Sequence, residues 1–93
     1  MPDLATKTER YEELLATALA DATIAVPAET PLANAAAEFE GMAEAYLADG
    51  RHFREDGNDV DALAAFSYGH AWLDAGARIG LFDVPEDDHL FTV

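Results

Sequence analysis

Cysteine is absent from the 93 residues, which removes disulfides, thiolate metal sites and thiol nucleophiles together. Positive charge is scarce as well: one lysine and four arginines stand against nineteen acids, for a formal net charge of -14. Duplex nucleic acid is therefore not an expected partner, because such binding rests on Lys and Arg neutralising phosphates. No apolar run approaches the roughly 20 residues that span a bilayer, and the opening MPDLATKTER is polar where a signal peptide would be apolar. The expectation is a chain of the cytoplasm with no membrane role. H-E-x-x-H, a nucleotide-binding glycine loop and G-x-S-x-G are all missing, so no catalytic motif and no cofactor is anticipated.

The acids that are present are spread along the whole chain. Net charge of this size opposes a compact state by self-repulsion, a repulsion that fades as the screening length falls to roughly 3 Å near 1 M salt. A salt-loving archaeal cytoplasm fits this balance; an acidic protein shaped for one basic partner would concentrate its acids on one face. A chain of this size buries only about 60–65% of the surface its unfolded form exposes. With no disulfide available, stability has to come from tight packing.

Helical periodicity supplies the packing elements. A first helix is predicted over about 6–24, with Thr6 as N-cap of a T-K-T-E capping box and Tyr11, Leu14, Leu15, Ala18 and Ala22 at helical intervals. A second is predicted over 31–56, with Thr30 as N-cap, Pro31 at the first helical position and Gly57 as the stop. A third spans about 59–80, opened by Asn58 or Asp59 and closed near Gly80. The tail 81–93 is too short and Pro-interrupted for a helix, and Leu81, Phe82, Leu90 and Phe91 are expected to strap across the bundle, with a partner's surface as the alternative place for them.

Within the second helix Phe39, Tyr46 and Phe53 recur every seven residues, and so do Ala36, Ala43, Gly50 and Gly57. The third helix repeats the scheme with Phe66 and Leu73 beside Ala62, Gly69 and Gly76. Such rows predict near-antiparallel helices packed with a shallow left-handed twist. Glycine inside a helix costs about 1 kcal/mol relative to alanine, so Gly50 and Gly69 call for close backbone approach. Helix three has almost no polar side and reads as the central helix, with Ala64, Ala71 and Ala75 covered by the tail or by a second subunit. The fold class expected is an all-α, small antiparallel three-helix bundle built on a tight helical hairpin, as a single domain over 1–93.

Two resemblances attach to these residues. Tyr46, Gly50, Phe53, Ala62 and Phe66 fall on the W-x2-L-G-x2-Y and A-x3-F positions of one tetratricopeptide unit. Asp49 replaces the leucine of that pattern, the terminal proline is missing, and only one copy is present, so the likeness is one of hairpin geometry. The run from Ala43 to Phe82, with Asp49, Gly50 and Phe53 followed by Ala65 to Gly76, is similar to the archaeal family catalogued as domain of unknown function 357. That resemblance implies a three- or four-helix archaeal protein without an assigned activity, and brings no catalytic residues with it.

Three polar residues require an account. Asp49 lies at the edge of the apolar face of helix two, and His70 and Asp74 lie four residues apart on helix three. Antiparallel pairing is expected to bring them together as a polar seam that satisfies a half-buried imidazole. The alternative is a small metal-dependent or acid-base enzyme centred on Asp49, His70 and Asp74. The structural seam is preferred, because such networks commonly imitate sites. His52 is expected at the exposed rim, and Arg51 and Arg54 are expected to pair locally with Glu44, Glu55 or Asp56. The functional reading is a non-catalytic interaction or accessory module, with a protein partner or self-association left open.

Overall fold

A computed structural model describes residues 3–85 of the chain. Helix α1 (Leu4–Asp21) begins at Asp3, whose carboxylate accepts from the Thr6 backbone N–H at 2.8 Å and from the Thr6 hydroxyl at 3.1 Å. The cap is therefore Asp3 and not Thr6: the aspartate, held in extended backbone, offers an equally strong acceptor earlier in the chain, and the helix takes up the intervening residues. Nor does α1 run on to 24. Ala22 turns extended, and Thr23–Ile24 forms strand β1, where β-branched side chains are well accommodated.

Helix α2 (Pro31–Glu55) starts as its sequence dictates, with Thr30 Oγ1 accepting from the Ala33 N–H at 3.1 Å and proline in the first turn. It stops in a Schellman arrangement: the Asn58 N–H reaches the Phe53 carbonyl at 2.8 Å and the Gly57 N–H reaches that of Arg54 at 3.0 Å. The reversal needs a left-handed residue, which Gly57 supplies at φ 77°. Asn58 then caps α3 (Asp59–Arg78) by accepting from the Asp61 N–H at 3.2 Å. Helix α3 closes by the same device, with Leu81 bonded back to Gly76 and Gly80 to Ala77. Strand β2 (Phe82–Asp83) follows and pairs antiparallel with β1, Thr23 opposite Asp83 and Ile24 opposite Phe82.

The architecture is an all-α three-helix bundle in which α2 runs antiparallel to both neighbours. Helices α1 and α3 run side by side in the same direction. Thr8 Oγ1 near the start of α1 lies 3.5 Å from the Asp59 carbonyl at the start of α3, and β1 and β2 join the opposite ends. Helix α3 has the larger interfaces, with α2 first and α1 second. Its Phe66 and Leu73 are wholly buried together with Leu15 of α1 and with Leu81. Leu81 and Phe82 thus belong to the core; Leu90 and Phe91 lie outside the described residues.

Close approach of α1, α2 and α3 meets at Gly69. A Cβ there would stand 2.9 Å from the Leu15 methyl, 2.9 Å from Tyr46 Cβ and 3.3 Å from the Ala43 carbonyl oxygen. Gly50 likewise gives up its side-chain space to the Phe66 ring, and Gly76 to that of Phe82. Ala64, Ala71 and Ala75 are exposed among the described residues, with Tyr68 57% exposed beside them. A two-helix hairpin has two faces, and α1 can occupy only one.

Candidate functional site

Phase around α3 separates its polar residues from its aromatic ones. On one flank the Tyr68 ring meets Tyr46 at 4.8 Å between centroids, and Trp72 meets Phe39 edge-on at 5.0 Å. Two residues on from each, His70 and Asp74 occupy the opposite flank, the one turned away from the aromatic row of α2. Their side chains are about one-fifth exposed, and His70 Nε2 stands 4.0 Å from Asp74 Oδ1. That separation is a charge pairing for a protonated imidazole and too long for a hydrogen bond. Both residues also take part in further interactions.

Asp49 is exposed on α2, in the row Met42, Asp49, Asp56 that lies one step outside Phe39, Tyr46 and Phe53. The structure therefore brings His70 and Asp74 together, and places Asp49 on the aromatic side of the hairpin. Among the described residues no group of three His, Asp or Glu side chains is arranged to hold a metal ion. His52 is at the rim, its side chain 70% exposed and 3.4 Å from Asp56.

Arg51 and Arg54 do not pair locally. Arg51 Nε donates to Glu12 Oε2 at 2.8 Å, and Arg54 donates to Glu12 Oε1 at 2.7 Å, so one carboxylate of α1 receives both arginines of α2. Charge-assisted bonds of this kind are short and directional. The reason is positional: both arginines lie on the flank of α2 that faces α1, and Glu12 is the acid that α1 presents at that height. Partial burial works against the Glu12 carboxylate, but the hydrogen bonds from Arg54 and Arg51 outweigh it and hold its pKa below the ordinary value. Arg54 is raised in turn by the same bond. Two arginines three residues apart on one face were the only local signal, since their partner is 39 and 42 residues away.

The face of the α2–α3 hairpin opposite α1 carries two adjoining shallow grooves, each about 280 Å³. One lies over Tyr46, Phe53, Ala64 and Tyr68, with Asp61 at its edge. The other lies over Phe39, Trp72, Ala71 and Ala75, and Tyr68 borders both. Beneath the second, the indole Nε1–H of Trp72 is buried with no acceptor among the described residues. Aromatic walls and an alanine floor were visible as periodic rows in the sequence. What periodicity could not state is whether that face is covered.

The family model described as Protein of unknown function (DUF357) matches residues 10–82. Neither the curated proteins nor the solved structures contain a match to the chain.

Proposed function

We propose that this chain, which belongs to the family described as Protein of unknown function (DUF357), acts as a non-catalytic protein-interaction or accessory module. The observation that carries this reading is the open aromatic groove between α2 and α3, lined on both sides and occupied by neither α1 nor the β1–β2 clasp. Exposed apolar grooves with a polar rim mark sites of association more often than ornament. Duplex nucleic acid does not fit a net charge of -14, and no helix among the described residues is long and apolar enough to cross a membrane. The charge balance fits the cytoplasm of a halophilic archaeon, where high salt screens the repulsion.

His70, Asp74 and Asp49 are assigned a structural role within this reading. His70 and Asp74 form a half-buried pairing one turn apart along α3, and Asp49 is exposed on α2. Buried polar groups of this kind serve specificity more than net stability. Titration with divalent metals separates this from a small metal-dependent or acid-base enzyme. Non-stoichiometric weak binding, indifferent to His70→Ala, is expected; stoichiometric binding lost in His70→Ala with an unchanged melting temperature would replace the structural role with a site.

The interaction reading itself is tested by affinity capture at molar KCl, with the wild type and Ala71→Lys as parallel baits. Lysine is a good helix former and position 71 is exposed, so the variant should fold. Proteins retained by the wild type and lost by the variant are expected. Identical captured sets from the two baits would defeat the reading.

A further inference from the structure

The cations of this chain are segregated even though its acids are not. Arg51 and Arg54 are bound to Glu12 on the α1 side, Lys7 lies over the Tyr11 ring of α1 at 5.8 Å, and Arg10 is on α1 as well. Arg78 stands at one end of α3, in its last turn, where it is itself engaged. Asp61 of α3 lines the groove, and Asp49 and Asp56 are exposed three residues beyond Tyr46 and Phe53 along α2, Asp56 with His52 at 3.4 Å. An acidic rim favours a basic partner and repels an acidic one.

The shape of the groove states what kind of element fits. Phe39, Tyr46 and Phe53 are spaced at two helical turns each, so the wall extends about 20 Å, the length of a helix of about 14 residues. Ala71 and Ala75 keep the facing wall low, which permits helix axes to approach at about 8–10 Å. A helix seated there would lie across the hairpin from α1 and complete a four-helix arrangement.

We infer that the groove receives a cationic amphipathic helix of a partner protein, its apolar stripe between the Phe39–Tyr46–Phe53 wall and the Ala71–Ala75 floor and its Lys or Arg flanks against Asp49, Asp56 and Asp61. The inference rests on the interaction reading above and narrows it to one chemistry. A second copy of this chain is disfavoured as occupant, because a two-fold pairing through this face would set the acidic rims against one another.

Trp72 is the only tryptophan, and it borders the groove, so its emission reports occupancy directly. The experiment uses the full chain at a salt concentration where it is folded, with two synthetic helical peptides of about 15 residues that share one leucine stripe and carry either lysine or glutamate on its flanks. Saturable 1:1 binding of the lysine peptide is expected, roughly tenfold or more tighter than the glutamate peptide, weakening as KCl is raised. It should be lost in Ala71→Lys and in Ala75→Lys with helical circular dichroism unchanged. Equal affinity for both peptides, or binding that survives in both variants, would overturn the inference. So would a dimer in sedimentation equilibrium that Ala71→Lys dissociates while neither peptide binds, an outcome that gives the groove to a second copy and leaves the interaction reading intact. No peptide binding, no self-association and no variant-sensitive capture would remove both.

Discussion

At the scale of single residues, the most constrained position is Gly69. A side chain there meets Tyr46 Cβ and the Ala43 carbonyl, atoms tied directly to the α2 backbone, in addition to the Leu15 methyl. Neither of the first two can swing aside without moving the helix. Gly69→Leu is therefore expected to lower stability by about 1–3 kcal/mol or more through overpacking, against the gain of about 1 kcal/mol that helix propensity alone assigns to replacing glycine. A chemical denaturation midpoint that rises in the variant would show that α1 and α2 are farther from α3 at this height. Gly50 is constrained differently, since its space is taken by the edge of the Phe66 ring. Leucine there should also destabilise, because Phe66 is wholly buried and its ring has nowhere to go.

The helices show most clearly what a linear reading can and cannot reach. Caps and stops are local chemistry, and Thr30 with Pro31, Asn58 and Gly57 all act where the sequence puts them. At the start of α1 two acceptors compete within three residues, and Asp3 prevails over the capping box at Thr6. Partners between helices are set by rotation and height, which no local pattern contains, and so the two arginines of α2 meet Glu12 and not their sequence neighbours. The same holds for Asp49, which is exposed on α2.

This α1–α2 clamp has a pH signature. The Glu12 pKa is lowered in the folded chain, so its contribution is present above the unfolded carboxylate value, about 4.3, and is lost as pH falls through the lowered folded value. Glu12→Gln should cost about 1–2 kcal/mol at neutral pH, toward the low end because Arg51 is half exposed. The difference between wild type and variant should shrink toward zero in acid. A difference that persists unchanged at pH 2–3 would assign it to packing and not to the carboxylate.

For the whole molecule, charge and size set the terms together. A net charge of -14 on 93 residues leaves a small core working against long-range repulsion, and salt removes the repulsion while leaving the core in place. The melting temperature is expected to rise between dilute buffer and molar KCl, by about 4–8 °C for each kcal/mol recovered. An unchanged melt would detach the acidic composition from stability altogether. The bundle itself was legible from periodicity, whereas the exposure of Ala64, Ala71 and Ala75 among the described residues was not, because they carry the same small apolar signature whether or not something lies on them. The two-residue pairing of β1 with β2 has a further consequence, one of order in time. Helices α2 and α3 are contiguous and reverse within a tight turn, so their contacts close a short loop, whereas α1 meets α3 across some fifty intervening residues. The clasp Thr23–Ile24 with Phe82–Asp83 is the latch that holds this long-range partner at its far end. Native-state hydrogen exchange should accordingly resolve two cooperative units, with the amides of α1 opening before those of α3 and the latch opening with α1.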